Sequence, residues 1–121
     1  MILLDSSVWI DHIRQPEPGV AAALADGKVI QHPFVTAEIS LGSIKDRLRM
    51  VTMLEALPAA KAVGNARLLK FVEEAGLHGT GLGMVDAHLL ACASDSGGTR
   101  LWTRDKRLLA QAERLGLGYI P

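Results

Sequence analysis

Several residue types are scarce in this 121-residue chain, and each scarcity excludes a class of protein. The one cysteine, Cys92, excludes an internal disulfide and is typical of a reducing cytoplasm. The formal net charge is zero, which argues against a protein that coats nucleic acid through bulk electrostatics. No apolar run approaches the roughly 20 residues of a membrane span, and the first residues lack the basic region of a signal peptide. We therefore expect a cytoplasmic protein without a membrane segment.

Aromatic residues are also few: two Trp, two Phe and one Tyr. Hydrophobic residues nevertheless make up 49% of the chain, and because many of them are Ala and Leu, helices should dominate. A chain of this length can bury one real core. No repeat, low-complexity segment or long linker divides it, so we expect a single domain over residues 1–121.

Short apolar runs alternate with segments of helical spacing. Strands are predicted at Met1–Leu4, Lys28–His32 and Arg100–Thr103, with weaker ones at Ala59–Val63 and Tyr119–Ile120. Helices are predicted from Ser6 or Ser7 as cap, from Pro18, from Thr36, over residues 46–57, after an Asn65 cap, through Asp86 and from Lys106. Strands alternating with helices predict an α/β fold around a parallel sheet with right-handed crossovers.

What the chain does have is an acidic residue at each of four such transitions. Asp5 closes the first strand, Glu38 follows the second, Asp86 opens a helix and Asp105 follows Trp102 and Thr103. In a parallel α/β sheet the carboxyl ends of the strands share one edge, where ligands bind. Residues scattered along the chain are therefore expected to meet in one pocket.

Four carboxylates at close range repel one another unless a cation neutralises them. Oxygen ligands suit hard cations such as Mg²⁺ and Mn²⁺, which can activate water in phosphodiester cleavage. The simpler interpretation is that Asp5, Asp86 and Asp105 cap helices and that Glu38 is a solvated surface residue. The four histidines have no ligand spacing and are interpreted as structural or surface residues, and Cys92 and Trp102 as core residues.

Hydroxyl and basic side chains accompany these acids. Ser6, Thr36 and Thr103 are candidates to support the carboxylates or a metal-bound water, whereas Ser7 is interpreted as a helix cap. The candidates for contacts to a phosphate backbone are Arg100, Arg104, Lys106 and Arg107. The alternative for these basic residues is simple exposure to solvent.

Four segments together resemble the successive motifs of PIN-domain ribonucleases, and in particular the VapC toxins of bacterial toxin–antitoxin pairs. They are Leu3–Ile10, Thr36–Ile39, Val85–Ala91 and Leu101–Leu108. The resemblance covers residue 2 to about residue 115 and implies a three-layer α/β/α domain. It also implies an endoribonuclease that uses Mg²⁺ or Mn²⁺, with Asp5, Glu38, Asp86 and Asp105 as its catalytic, metal-binding quartet.

The resemblance implies partners as well: an RNA substrate, a small antitoxin protein and a second copy of the chain in a homodimer. Apolar side chains on short flanking elements are a candidate groove for an amphipathic antitoxin helix, with core packing as the alternative. They are Trp9, Ile13, Val20 and Leu24. The chain departs from the family at Arg107, where many members carry a further acid. Whether the site binds one metal ion or two is therefore left open.

Two other functions start from the same first aspartate. A phosphatase with an aspartyl nucleophile usually has another Asp two residues later, where this chain has Ser7. A receiver-like domain that binds Mg²⁺ would carry an acidic pair beside the first strand, and Asp5 stands alone. Metal-dependent RNA cleavage, phosphatase turnover and stable phosphorylation distinguish the three.

Overall fold

Three short parallel strands form the central sheet of the computed structural model, which describes all residues from 1 to 121. They are β1 (Ile2–Leu4), β2 (Val29–Ile30) and β3 (Arg100–Trp102), in the order β2-β1-β3. Ile2 lies opposite Val29 on one side and opposite Arg100 on the other. All three residues of β1 are buried, as predicted for a continuous apolar run in the middle of a parallel sheet.

The two weaker strands of the sequence prediction are wrong as strands and are only isolated bridges. Ala59 pairs with Gln31, and Gly118 pairs with Leu101. At the first edge, β2 leaves little backbone to pair with, because Pro33 starts a helix directly after His32. At the other edge, Leu101 bonds to Leu117 and Tyr119, and the chain beyond them leaves Ile120 83% exposed.

Seven helices surround this sheet, which confirms the α/β class with a parallel sheet. They are α1 (Ser6–Arg14), α2 (Pro18–Ala25), α3 (Pro33–Ser40), α4 (Arg47–Glu55), α5 (Asn65–Ala75), α6 (Met84–Asp95) and α7 (Lys106–Arg114). None of these helices has the length and apolarity that crossing a membrane requires.

Helix starts differ from the prediction at three places. Asp5, rather than Ser6 or Ser7, caps α1, because the residue in extended backbone before the first turn is the one that can reach the free amides. The helix α3 begins at Pro33 instead of Thr36, since His32 caps it and Pro fits the first helical position. Gly64 precedes α5, so Asn65 is its first residue and not its cap.

The core runs from the sheet into α6 and α1. Leu3, Leu4 and Trp9 are fully buried, and Cys92 and Trp102 are core residues as predicted. His32 and His88 are buried as well, on either side of Phe34, with ring centroids 5.0 and 4.8 Å from it. The carboxyl ends of β1 and β3 therefore emerge from a packed interior, which fixes the backbone that follows them.

Candidate active site

Asp5 lies at the carboxyl end of β1 and is 5% exposed. Its Oδ1 accepts hydrogen bonds from the Val8 amide at 3.3 Å and from Ser7 Oγ at 2.5 Å. Its Oδ2 accepts a hydrogen bond from the Thr103 hydroxyl. Both oxygens of this buried carboxylate are therefore held in place, which satisfies a group whose burial is costly without partners.

Asp105 lies three residues past the end of β3 and is joined to Asp5 through Thr103. Its Oδ1 caps α7 by accepting from the Leu108 amide at 3.0 Å, and its own amide donates to Thr103 Oγ1 at 3.1 Å. The Thr103 hydroxyl thus donates to one acid and accepts from the backbone of the other. This geometry supports the role predicted for Thr103.

Glu38 on α3 and Asp86 in the first turn of α6 are held differently. Burial raises the pKa of the Glu38 carboxyl although part of the side chain is exposed, and the nearby charges of Asp86 and Asp5 raise it further. Burial also raises the pKa of Asp86; the Gly83 amide opposes that shift, and Asp105 and Asp5 add to it. Glu38 thus lies within electrostatic reach of Asp86 and Asp5, and Asp86 within reach of Asp105 and Asp5, so the four acids form one connected cluster.

The four carboxylates do not form a finished set of ligands. In this conformation no group of three His, Cys, Asp or Glu side chains is placed to hold a metal ion. Like charges repel, so carboxylates without a cation between them are expected to stand apart. The donor atoms themselves fit Mg²⁺ or Mn²⁺, because all are hard oxygens and neither His nor Cys is among them.

Two of the three predicted hydroxyl supports are placed elsewhere. Ser6 makes no side-chain hydrogen bond, and the Thr36 hydroxyl donates to Gln31 Oε1 at 2.6 Å. The residue that sequence reasoning missed is Ser7, interpreted there as a cap. Because Asp5 is the cap, the second residue of α1 folds back onto it, and the spacing of two residues was the available signal.

The basic residues also divide. Arg104 is bound by Asp11 at 2.7 Å and by Glu17 at 2.5 Å. It is therefore not free to contact a phosphate, contrary to the prediction. Arg100 donates to the Thr99 carbonyl at 3.3 Å and lies at the amino end of β3, at the opposite end of the strand from Thr103 and Asp105. Lys106 and Arg107 are exposed and pair with no carboxylate, and the Arg107 side chain lies along the backbone at Gly81. Lys106 and Arg107 therefore remain the candidates for phosphate contacts.

The predicted apolar groove is mostly core. Trp9 and Val20 are fully buried, and Ile13 and Leu24 are partly buried against the core. An incoming helix could not contact the first two, so the prediction of a groove is wrong for Trp9 and Val20. Large exposed apolar side chains occur elsewhere, at Leu41, Leu48 and Met84.

The fold, the acids at the sheet edge and the sequence agree on one class of protein. Residues 2–115 match the PIN domain, and the chain belongs to this family. The chain is also 43% identical over 117 residues to Ribonuclease VapC32 of two Mycobacterium tuberculosis strains, covering 97% of this chain and 94% of that protein. The resemblance to PIN-domain ribonucleases of the VapC type is thereby confirmed.

Two solved structures share the fold at low sequence identity. FitAB bound to an IR36 DNA fragment has a TM-score of 0.61 and 22% identity over 93% of this chain and 91% of that one. PAE2754 from Pyrobaculum aerophilum has a TM-score of 0.58 and 20% identity over 94% of this chain and 90% of that one. They support the three-layer architecture expected of a PIN domain.

Proposed function

We propose that this protein is a divalent-metal-dependent endoribonuclease, a single PIN domain over residues 1–121 that acts as the toxin of a toxin–antitoxin pair. The observation that carries the ribonuclease activity is the 43% identity to Ribonuclease VapC32 over nearly the whole of both chains. The clustered acids at the sheet edge support a site for the reaction. The catalytic and metal-binding residues in this proposal are Asp5, Glu38, Asp86 and Asp105.

Each acid has a distinct part in this proposal. Asp5 offers a carboxylate oriented by the Ser7 and Thr103 hydroxyls, and Asp105 offers one oriented by the Leu108 amide. Glu38 and Asp86 offer carboxylates with unfavourable charge, which gain most from a cation nearby. When bound, Mg²⁺ or Mn²⁺ supplies a Lewis acid that activates water and stabilises charge on the scissile phosphodiester. Lys106 and Arg107 hold the flanking RNA phosphates by charge.

The competing reactions fit the site less well. An aspartyl-phosphate enzyme usually carries a second Asp two residues after the first. The position that would carry its second Asp is Ser7, which is bonded to Asp5. Membership of the PIN family also speaks against these alternatives.

The nuclease is tested by cleavage of an end-labelled RNA by the purified protein. Activity should disappear in EDTA and return with Mg²⁺ or Mn²⁺, whereas Zn²⁺ is poorly suited to carboxylates alone. A mixture of internal fragments identifies an endonuclease. Undiminished cleavage in chelator would show a metal-free mechanism, for which the chain offers no His-based acid and base near the four acids.

The toxin assignment rests on the VapC relationship and requires a partner. A small antitoxin encoded beside this protein would silence it by placing a basic residue among the acids, where an Arg makes charge-assisted hydrogen bonds. We also propose a homodimer and action in the cytoplasm. Expression alone should arrest growth, and co-expression of the neighbouring small protein should relieve the arrest. If expression of the protein alone does not arrest growth, the toxin role is refuted. The RNA cleavage assay would still test whether the protein is a nuclease.

A further inference from the structure

The guanidinium of Arg104 is bound by two carboxylates. It donates to Asp11 at 2.7 Å and to the two carboxylate oxygens of Glu17 at 2.7 and 2.5 Å. It also lies 6.0 Å from the centroid of the Trp102 ring. A bidentate pair between Arg and a carboxylate fixes orientation as well as distance. The side chain therefore joins the loop after β3 to the carboxyl-terminal half of α1 and to the residue that precedes α2.

The backbone of the same residue reaches the candidate active site. The Arg104 amide donates to Ser7 Oγ at 3.0 Å, and Ser7 donates to Asp5. Its two chain neighbours are Thr103 and Asp105, which are themselves part of the site. One residue thus holds α1 at two points, at Ser7 through the main chain and at Asp11 through the side chain.

We propose that Arg104 is a positioning residue of this nuclease, which sets the relative position of Asp5 and Asp105 by tying the α1–α2 corner to the loop after β3. If the guanidinium is lost, that loop is freed from the corner, and Thr103 and Asp105 move relative to Asp5. Small misplacement of reacting groups is costly, about 100-fold for 1 Å. The activity readout rests on the proposed function, so a metal-binding readout is used beside it.

The chain contains a matched control in Arg67. Its guanidinium binds Asp95 at 2.9 and 2.7 Å and Glu74 at 3.4 Å, and it lies 5.7 Å from the Phe71 ring centroid. Its side chain is 33% exposed, the same as that of Arg104. The Arg67 cluster joins α5 to the end of α6 and bonds to none of the four acids. Loss of either arginine should therefore cost similar stability, while only one should affect the site.

The experiment compares Arg104→Met, Glu17→Gln and Arg67→Met with the wild-type protein. Arg104→Met and Glu17→Gln should each lower kcat roughly 10- to 100-fold with little change in KM. Each should also weaken Mn²⁺ binding, measured without RNA by the electron paramagnetic resonance signal of free Mn²⁺. The double variant should be no worse than Arg104→Met alone, because Arg104→Met already removes the contact that Glu17→Gln weakens. Arg67→Met should lower Tm comparably and leave kcat and Mn²⁺ binding within about twofold.

Three results would overturn the proposal. A raised KM with unchanged kcat in Arg104→Met, and wild-type behaviour in Glu17→Gln, would make Arg104 a contact to RNA phosphate. A lowered Tm alone, as in Arg67→Met, would make it a stabilising residue only. Wild-type Mn²⁺ affinity in both site variants would refute positioning whatever the cleavage rates. If wild type binds Mn²⁺ but cleaves no RNA, the proposed function fails and the Mn²⁺ comparison still decides. Should Arg104→Met fail to fold, Glu17→Gln decides, because it keeps the ion pair to Asp11.

Discussion

The two halves of the candidate active site differ in how the protein holds its carboxylates. The held half consists of Asp5, Thr103 and Asp105, in which each acid accepts a backbone amide and Thr103 bonds to both residues. The open half consists of Glu38 and Asp86, whose pKa values are raised first by burial and then by neighbouring acids. Hydrogen bonds hold the carboxylates of the first half, whereas burial and neighbouring acids disfavour the ionised forms of Glu38 and Asp86.

This difference has a physical source in the fold. Asp5 and Asp105 are the N-caps of α1 and α7, where their carboxylates accept free backbone amides. Asp86 also lies in the first turn of a helix, but burial and the charges of Asp105 and Asp5 outweigh the effect of the Gly83 amide on its pKa. Glu38 lies in the second half of α3, where the backbone amides are already used within the helix. The fold alone therefore fixes the held half, and under the proposed function a cation would complete the open half.

The largest expected effect comes from breaking the held half at its centre. Asp5→Asn should lower kcat/KM about 1,000-fold, because metal charge stabilisation is worth several kcal/mol. The amide is nearly the same size, and the Ser7 and Thr103 hydroxyls can rotate to suit it, so the circular dichroism spectrum should stay unchanged. RNA cleavage rates measure the loss, and activity within tenfold of wild type would remove Asp5 from catalysis.

Neutralising the open half should separate activity from stability. Asp86→Asn and Glu38→Gln should each reduce kcat/KM about 100-fold. In the metal-free protein at neutral pH both should raise Tm, because each removes a partly buried charge that like charges disfavour. Scanning calorimetry with and without Mn²⁺ checks this, since added Mn²⁺ should stabilise the variants less than wild type. A lowered Tm in both metal-free variants would contradict the described difference between the halves.

The hydroxyl of Thr103 offers a sharper test with its own control. Thr103→Val keeps the shape but removes the bond to Asp5, so kcat should fall about 10- to 100-fold. Thr36→Val removes an equally buried hydroxyl that bonds to Gln31 and should leave kcat within about twofold. Both variants leave a buried partner unsatisfied and should lose similar stability in urea. Equal activity losses would show that neither hydroxyl has a specific role at the acids.

The smallest effect concerns pH and lies outside both halves, at His32. Burial, with His88 nearby, lowers the pKa of His32 from 6.5 to about 4. Below pH 6.5 the unfolded chain binds this proton and the folded protein does not, so stability is lost as pH falls from about 6.5 to about 4. The loss is at most about 3 kcal/mol.

The His32→Asn variant isolates this contribution, because Asn also caps helices. We expect wild type to lose up to about 3 kcal/mol of unfolding free energy in urea, relative to the variant, as pH falls from about 6.5 to about 4. The open half works in the opposite direction, since carboxyls with raised pKa values gain stability as they are protonated. That contribution cancels in the difference. A flat difference would show that His32 titrates normally.

The sequence predicts the held half better than its surroundings. Asp5 and Asp105 follow apolar strands and precede helices, and local pattern is enough to place them. Ser7 was missed because the prediction made Ser6 or Ser7 the N-cap of α1. The N-cap is Asp5, so Ser7 lies inside the first turn and its hydroxyl donates to Asp5. Thr36 was misassigned because its partner, Gln31, depends on how β2 ends and not on the spacing to Glu38.

Long-range pairs were beyond local reasoning altogether. Arg104 meets Asp11 and Glu17 across 93 and 87 residues, and nothing in the local charge pattern indicates that choice. Trp9 and Val20 are apolar residues on two short helices, and their sequence context fits either a groove or the core. Both are buried in the core, which depends on the packing of the whole chain. The predicted strand at Ala59–Val63 does not form, because its pairing partner β2 has only two residues and Ala59 makes a single bridge to Gln31.

The bond from Thr103 to Asp5 spans 98 residues of a 121-residue chain and has a consequence for synthesis. A chain is synthesised from its amino end, so Thr103 is added only after nearly all of the chain that follows Asp5 has been made. Contacts of such separation also form late in folding, because the loop must close first. A nascent or truncated chain therefore carries the acids Asp5, Glu38 and Asp86 without a complete site. Under the proposed function, the ribonuclease site is complete only in a chain that extends past Asp105 and has closed this loop.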